Sequence, residues 1–241
     1  MRFINFFLLL LFVSANPACE LIERQVKVNY RGALRNFMHG NDLSAKLDLD
    51  TLRDRPYLYG LGARENLKGE ILIWSGEPVV SLVRDSQVLV DHSFDHRAAL
   101  FVWSEVEKWE AFAVPDTVNT YSSLEAFIAH QAAGNSLWSL SAPFPFRLRG
   151  EATLDWHVID WPPDDSVHTH EKHRTSGPHG TLQNQKVEVL GFYSTEHTGI
   201  FTHHTTNMHL HFRTLDNTLA GHVDDLAPRQ MVLYLPAFGP E

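Results

Sequence analysis

The chain has 241 residues, of which 44% are apolar, and this is enough to bury a core in one large domain or two small ones. Its net charge of −9 comes with no compensating basic stretch, which argues against a nucleic-acid surface. The single cysteine excludes a disulfide framework within the chain.

The N-terminus has the pattern of an export signal. Arg2 precedes an apolar run over residues 3–13, and small residues follow it. Because such a run is too short to span a bilayer comfortably, we predict a cleaved signal peptide over residues 1–18. The mature protein, residues 19–241, is then periplasmic or secreted and has no membrane span. Cys19 directly follows the signal, so lipid attachment there stays open, as does an uncleaved anchor helix.

The first half of the mature chain predicts a strand, a helix and then several strands. Residues 21–30 alternate apolar and charged side chains, which favours a strand. Asn41-Asp42 is a helix-capping signal for a helix over Leu43–Leu52. The strands predicted after it are Glu70–Trp74, Pro78–Leu82, Gln87–Val90, Ala98–Trp103 and Trp109–Val114.

The second half repeats this order. Ser122, with Glu125 three residues later, predicts the start of a helix that runs to Ala133 and ends at Gly134. The strands predicted after it are Phe144–Leu148, Ala152–Val158, Val187–Tyr193, Met208–Arg213, His222–Leu226 and Met231–Leu235.

Two halves with the same order indicate a duplicated unit. Residues 67–74 and 148–156 are weakly alike, and each lies downstream of its own helix. We therefore predict an α+β fold of two related strand–helix–strands motifs, over about 21–115 and 116–241, whose largely antiparallel or mixed sheets pack together.

The most informative motif is His209-Leu210-His211, followed eleven residues later by His222. Side chains two apart on a strand share a face, and Asp216-Asn217 is a turn signal that can bring the third histidine onto a neighbouring strand. Three imidazoles with one open position are the ligands of a catalytic zinc, whereas a structural site would want a fourth protein ligand. The sequence thus predicts a metal site at His209, His211 and His222.

A second histidine pair has a different setting. His168 and His170 lie in a polar, turn-rich stretch over residues 164–180. Such a stretch favours an exposed loop that binds metal adventitiously.

With these residues in hand, the chain resembles the acetolactate decarboxylase family. The segments that carry the likeness are Met208–Phe212 with Ala220–Asp224, the glycine-bounded stretch Gly60–Leu72, the strand Phe146–Gly150, and Gly191–Tyr193 with Glu196. Together they span roughly residues 57–236 in the family's order, and the histidine hairpin is the specific part.

The resemblance implies a zinc enzyme that converts 2-acetolactate, a 2-hydroxy-3-keto acid, to acetoin and CO2. It implies zinc ligation by the three histidines, with Glu70 as the active-site carboxylate and Arg147 as the active-site cation. This chemistry is reasonable, because decarboxylation leaves negative charge on oxygen that a metal and a guanidinium stabilise, while a carboxyl group delivers a proton to carbon. Arg149 lies two residues after Arg147, so the strand pattern leaves open which arginine matters.

The same residues are also compatible with other functions. One is an exported metal-binding or carrier protein without catalysis, and another is a divergent metal-dependent lyase, hydratase or dioxygenase on a different substrate. The family usually carries a glutamate near the metal in a C-terminal tail, and Glu241 comes earlier than that residue. The sequence also leaves the oligomeric state open, with a homodimer among the options.

Overall fold

The computed structural model describes residues 26–134, 142–163 and 167–237. The predicted signal peptide, Cys19 and Glu241 lie outside these ranges. Among the described residues, no helix is long and apolar enough to cross a membrane.

The first half of the chain forms one antiparallel sheet in which β4 is central. Across the sheet the order is β1-β7-β3-β4-β5-β6, and β2 also pairs with β7. These strands are β1 (Asn29–Arg31), β2 (Leu47–Asp48), β3 (Leu58–Arg64), β4 (Glu70–Trp74), β5 (Glu77–Arg84), β6 (Gln87–Asp91) and β7 (Arg97–Glu105).

The remaining strands form a second sheet in the order β11-β10-β9-β12-β8. They are β8 (Trp109–Ala113), β9 (Phe144–His157), β10 (His179–Tyr193), β11 (Met208–Thr214) and β12 (Ala220–Pro236). Because β11 also pairs with β12, the strands β9 to β12 close into a ring of antiparallel pairs. The α+β class predicted from the sequence is therefore confirmed, and the second sheet curls where the histidine hairpin lies.

The two sheets pack face to face. Leu72 and Trp74 of β4 share one buried cluster with Leu190 and Phe192 of β10. Ile71 and Ile73, which alternate with them along β4, pack in a separate cluster on the outer face of the first sheet. Since both faces of β4 are covered, all five of its residues are buried, including Glu70.

The predicted helix over 43–52 is wrong, and the helix lies earlier, at α1 (Leu34–Gly40). Asn41 adopts a left-handed conformation (φ 47°) and its N–H donates to the carbonyl of Asn36, so Asn41 ends a helix instead of starting one. The segment after it pairs with β7 as β2 and then forms a 3-10 turn, Leu49–Leu52.

The second long helix lies almost where the sequence placed it, as α2 (Tyr121–Ala133), with Gly134 at its C-cap. Its capping box joins Thr120 to Ser123, two residues earlier than the predicted pair. Glu125 is therefore not part of the capping box. It accepts hydrogen bonds from the Thr206 hydroxyl and the Asn207 backbone, and so ties α2 to the start of β11.

Two pairs of predicted strands are each one continuous strand, β9 and β12. At the junction in β9, Gly150 has φ +147°, and a Cβ there would lie 2.0 Å from the carbonyl oxygen of Gln230. This close approach lets β9 run on beside β12 where a side chain would force the strands apart. The continuity carries β9 as far as His157, at the edge of the histidine hairpin.

A missed element is α3 (His170–Thr175), inside the stretch predicted to be an exposed loop. His168, just before it, is 8% exposed and stacks on Trp161 with ring centroids 4.2 Å apart. The predicted exposure of this histidine is therefore wrong, because Trp161 provides an apolar face that the local pattern did not reveal.

Candidate metal centre

The three histidines of the motif are brought together by a tight hairpin. His209 and His211 lie on β11, and His211 is directly opposite His222 of β12. The turn is held by Asp216, whose Oδ1 accepts from the hydroxyl groups of Thr214 and Thr218. Alternation along β11 puts His209 and His211 on one face, and the register adds His222 beside them.

The imidazoles converge closely enough for one ion. One nitrogen from each ring lies within 4.8 Å of the other two, and the ring centroids are 5.1 to 5.3 Å apart. His209 and His211 are 7% and 1% exposed. The Nε2 atom of His211 is buried and makes no hydrogen bond to the described residues. A buried imidazole nitrogen without a partner is costly, and a metal ion would satisfy it.

Burial keeps these imidazoles in the neutral form that a metal needs. Desolvation lowers the pKa of His209 to about 4. It also lowers the pKa values of His211 and His222 well below the usual range, and the neighbouring histidines lower them further. Neutral rings at physiological pH bind a metal without first losing a proton.

Glu70 faces the three histidines from the other sheet. Its Oε2 atom lies 3.6 Å from His211 Nε2, and its Oε1 atom accepts a long hydrogen bond of 3.4 Å from the backbone N–H of Ile159. Burial raises the pKa of Glu70 well above its usual range, and the charge of Asp224 raises it further. The sequence-predicted carboxyl group is thus beside the histidines and favours the protonated form.

A fourth histidine, which the sequence analysis missed as a site residue, completes the wall of the site. His157, the last residue of β9, is opposite His222, and the two ring centroids are 4.8 Å apart. Its Nδ1 lies 2.9 Å from Asp224 Oδ2, and its Nε2 lies 3.9 Å from Glu70 Oε1. Pairing between β9 and β12 decides this placement, and local spacing carries no signal for it because Asp224 is distant in sequence.

Arg147 lies among aromatic rings. Its guanidinium carbon is 4.2 Å from the centroid of Trp109, and Nη1 donates a 3.0 Å hydrogen bond to the hydroxyl of Tyr59. Trp74 and Tyr234 also contact it. Among the described residues its contacts are with this cage, while across the sheet both Arg147 and His211 lie opposite Leu190. Arg149 is exposed and pairs with Glu188.

The site opens into one cavity of about 300 Å³. Glu70, His157, His209, His222 and Asp224 line one part of it. His170, His173 and His203 also line it, and the rings of His170 and His203 are 4.7 Å apart. No lysine or arginine is among the described residues that line this cavity.

Comparison with solved structures identifies the architecture. A Staphylococcus aureus protein of unknown function, described as similar to alpha-acetolactate decarboxylase, superposes with a TM-score of 0.70 at 16% identity over 88% of this chain and 85% of its own. Alpha-acetolactate decarboxylase from Bacillus subtilis strain 168 superposes with a TM-score of 0.67 at 15% identity, covering 88% and 86% of the two chains. The chain has the acetolactate decarboxylase fold.

Two comparisons of the sequence itself gave no match. No protein-family profile matches the chain, and no curated protein matches it significantly. The similarity of this chain to the acetolactate decarboxylase structures is therefore a similarity of fold, and the chemistry must be argued from the site itself.

Proposed function

We propose that this protein is a zinc-dependent decarboxylase of 2-hydroxy-3-keto acids, with the conversion of 2-acetolactate to acetoin and CO2 as its reaction. The observation that carries the proposal is the convergence of His209, His211 and His222 on one point, with the carboxyl group of Glu70 3.6 Å from His211. The fold shared with alpha-acetolactate decarboxylase from Bacillus subtilis supports it.

Zinc fits the donor set, since three neutral imidazoles with an open position are typical of a catalytic zinc site. When bound, the metal supplies a Lewis acid that polarises the substrate's keto and hydroxyl oxygens. No lysine or arginine is among the described residues that line the cavity, so a metal held by His209, His211 and His222 would supply the positive charge for an anionic substrate.

Glu70 is the proton donor in this proposal. Loss of CO2 leaves the bonding electron pair on the substrate as an enediolate, and the carbon that carried the carboxylate must gain a proton. A carboxyl group kept protonated by burial can deliver that proton and then recover one from solvent. His157, held by Asp224, lies beside this carboxyl group, with its Nε2 atom 3.9 Å from Glu70 Oε1.

The decisive experiment adds 2-acetolactate to the purified, zinc-loaded protein and measures acetoin before and after chelation. We expect acetoin and CO2 in equal amounts, loss of both after chelation, and recovery when zinc is restored. Zinc binding at one ion per chain without acetoin would instead support the alternative, a metal-binding protein without this activity.

We also propose that the enzyme is exported. The support is the sequence pattern of residues 1–18. Expression of the full chain in a bacterial host, followed by fractionation and N-terminal sequencing, tests this. A start near residue 19 outside the cytoplasm is the expected result, and an intact N-terminus in the cytoplasm contradicts it.

A further inference from the structure

The cavity that contains the histidines is also lined by apolar side chains. Part of this apolar lining comes from α1 and β7. Leu34, Phe37 and Met38 come from α1, and Leu100 comes from β7. The helix is anchored there, since the backbone N–H groups of Leu34 and Arg35 donate to the carbonyls of Ile200 and Gly199.

The cavity is larger than a substrate with two methyl groups requires. Its volume of about 300 Å³ is at the lower end of the range of roughly 300–1,000 Å³ that is typical of sites for drug-sized ligands. The residues that can bind a metal or a proton lie on one part of its surface. The remainder would hold only water against apolar side chains if the substrate ended in methyl groups, and that is unfavourable.

Charge limits what can occupy the apolar part. The acidic side chains that line the cavity are Glu70, Asp224 and Asp225, and no lysine or arginine is among its described lining residues. The imidazoles of His173 and His203, which also line the cavity, are neutral at physiological pH, because burial lowers the pKa of His173 to about 3 and that of His203 to about 4. A phosphate or second carboxylate beside the α1 side chains would therefore find no protein cation there.

We propose that the substrate is a 2-hydroxy-3-keto acid in which an uncharged alkyl chain or aromatic ring replaces one of acetolactate's methyl groups, and that this group packs against Phe37, Met38 and Leu100. The inference rests on the proposed function for the reacting end of the substrate. The alkyl or aromatic group of the substrate, called the apolar arm below, is inferred from the cavity alone. Its binding can therefore be tested without turnover.

The first test measures the binding of neutral hydroxyketones, which match the product and need no catalysis. Acetoin and a series with longer alkyl chains are titrated into the zinc-loaded protein, and binding is followed by calorimetry. We expect the affinity to rise about fourfold for each added methylene group until the cavity is full. Affinity that is flat or falls along the series overturns the proposal.

Two variants locate the arm. Met38→Trp fills the apolar part and should reduce the gain per methylene group by half or more. His39→Trp is the matched control, because His39 is the next residue on α1, is exposed and does not line the cavity. In this variant the affinity should rise with each methylene group as it does in the wild type. An equal gain in affinity per methylene group in the two variants would show that the alkyl group of the ligand binds elsewhere, and this would overturn the assignment.

Turnover separates this inference from the proposed function. If longer hydroxyketones bind tightly but no 2-hydroxy-3-keto acid of any length is decarboxylated, the decarboxylase proposal fails and the apolar arm stands. If acetolactate is decarboxylated and its longer homologues neither bind nor react, the apolar arm fails and the decarboxylase proposal stands.

Discussion

His157 lies against Asp224, with its Nδ1 2.9 and 3.0 Å from the two carboxylate oxygens. Because a carboxylate only accepts hydrogen bonds, Nδ1 carries the imidazole proton and Nε2 is left toward Glu70. Both side chains are almost fully buried, at 7% and 6% exposed. The pair joins β9 to β12 and fixes one ring beside the three predicted metal ligands.

Asp224→Asn should reduce acetolactate turnover by about 10- to 100-fold, as loss of a partner that orients a site histidine usually does. The amide removes the charge that holds Nδ1–H, so the His157 ring loses its fixed orientation. Zinc content should stay at one ion per chain. Asp54→Asn is the control, because Asp54 is exposed and does not line the cavity. Wild-type turnover in Asp224→Asn would contradict the role given to the pair.

Glu70→Gln should strongly reduce acetoin formation while zinc binding is kept. Glutamine fills the same space and can still accept from the backbone N–H of Ile159, but its amide cannot deliver a proton to carbon. General acid–base groups contribute about 10²–10⁴-fold, so a loss in this range is expected. The measurements are acetoin and metal content on the same sample. Unchanged acetoin formation would remove Glu70 from the mechanism.

His211→Ala should lose zinc and the stability that zinc provides. The wild type should gain about 2.7 kcal/mol in free energy of unfolding when free zinc is 100 times its dissociation constant. Denaturant unfolding with and without zinc measures this difference, and in His211→Ala it should disappear. His130→Ala, an exposed change on α2, is the control. A zinc effect that survives in His211→Ala would place the metal elsewhere.

Arg147→Met should destabilise the fold and leave zinc content unchanged. The guanidinium group packs against Tyr59, Trp74, Trp109 and Tyr234, and such a desolvated cation–π contact contributes about 2 kcal/mol. We expect the free energy of unfolding to fall by at least that amount.

The control for this change is Arg149→Met. Arg149 is 62% exposed and its ion pair with Glu188 is long, at 3.4 Å. Exposed pairs contribute about 0–1 kcal/mol, so this variant should unfold almost as the wild type does. Equal losses in the two variants would contradict the role of the aromatic cage.

His173 should make the protein less stable in acid. Burial and the nearby histidines lower its folded-state pKa from 6.5 to about 3. A histidine with a depressed pKa contributes stability that is present above pH 6.5 and is lost as the pH falls toward 3, by about 1.4 kcal/mol per pH unit. His168, His170, His157 and His203 are the titratable groups around it.

His173→Gln tests this pH dependence. The variant removes the titrating group, so the difference in free energy of unfolding between wild type and variant should change with pH over this window and be constant above pH 7. Unfolding curves at several pH values measure it. A difference that does not vary with pH would contradict the assignment.

Much of the fold could be predicted from local patterns. Glu70–Trp74 was predicted with the bounds that the structure has, since a five-residue apolar run between turns is typical of a buried strand. β3 was missed because Gly60 and Gly62 weaken the strand pattern. A Cβ at Gly62 would lie 2.0 Å from the carbonyl of Leu100, so glycine is there for close contact with β7.

The sequence by itself determined the histidine hairpin. A strand with histidines two residues apart, a turn signal at Asp216-Asn217 and a third histidine on the return strand are all local, and period-two alternation is enough to place them together. Contacts between distant segments decided the rest. Pairing of β9 with β12 brought His157 beside His222, the packing of the two sheets brought Glu70 to the histidines, and Arg147 came to lie among aromatic side chains of both sheets. No local period encodes such contacts, because they depend on register and packing between residues far apart in the chain.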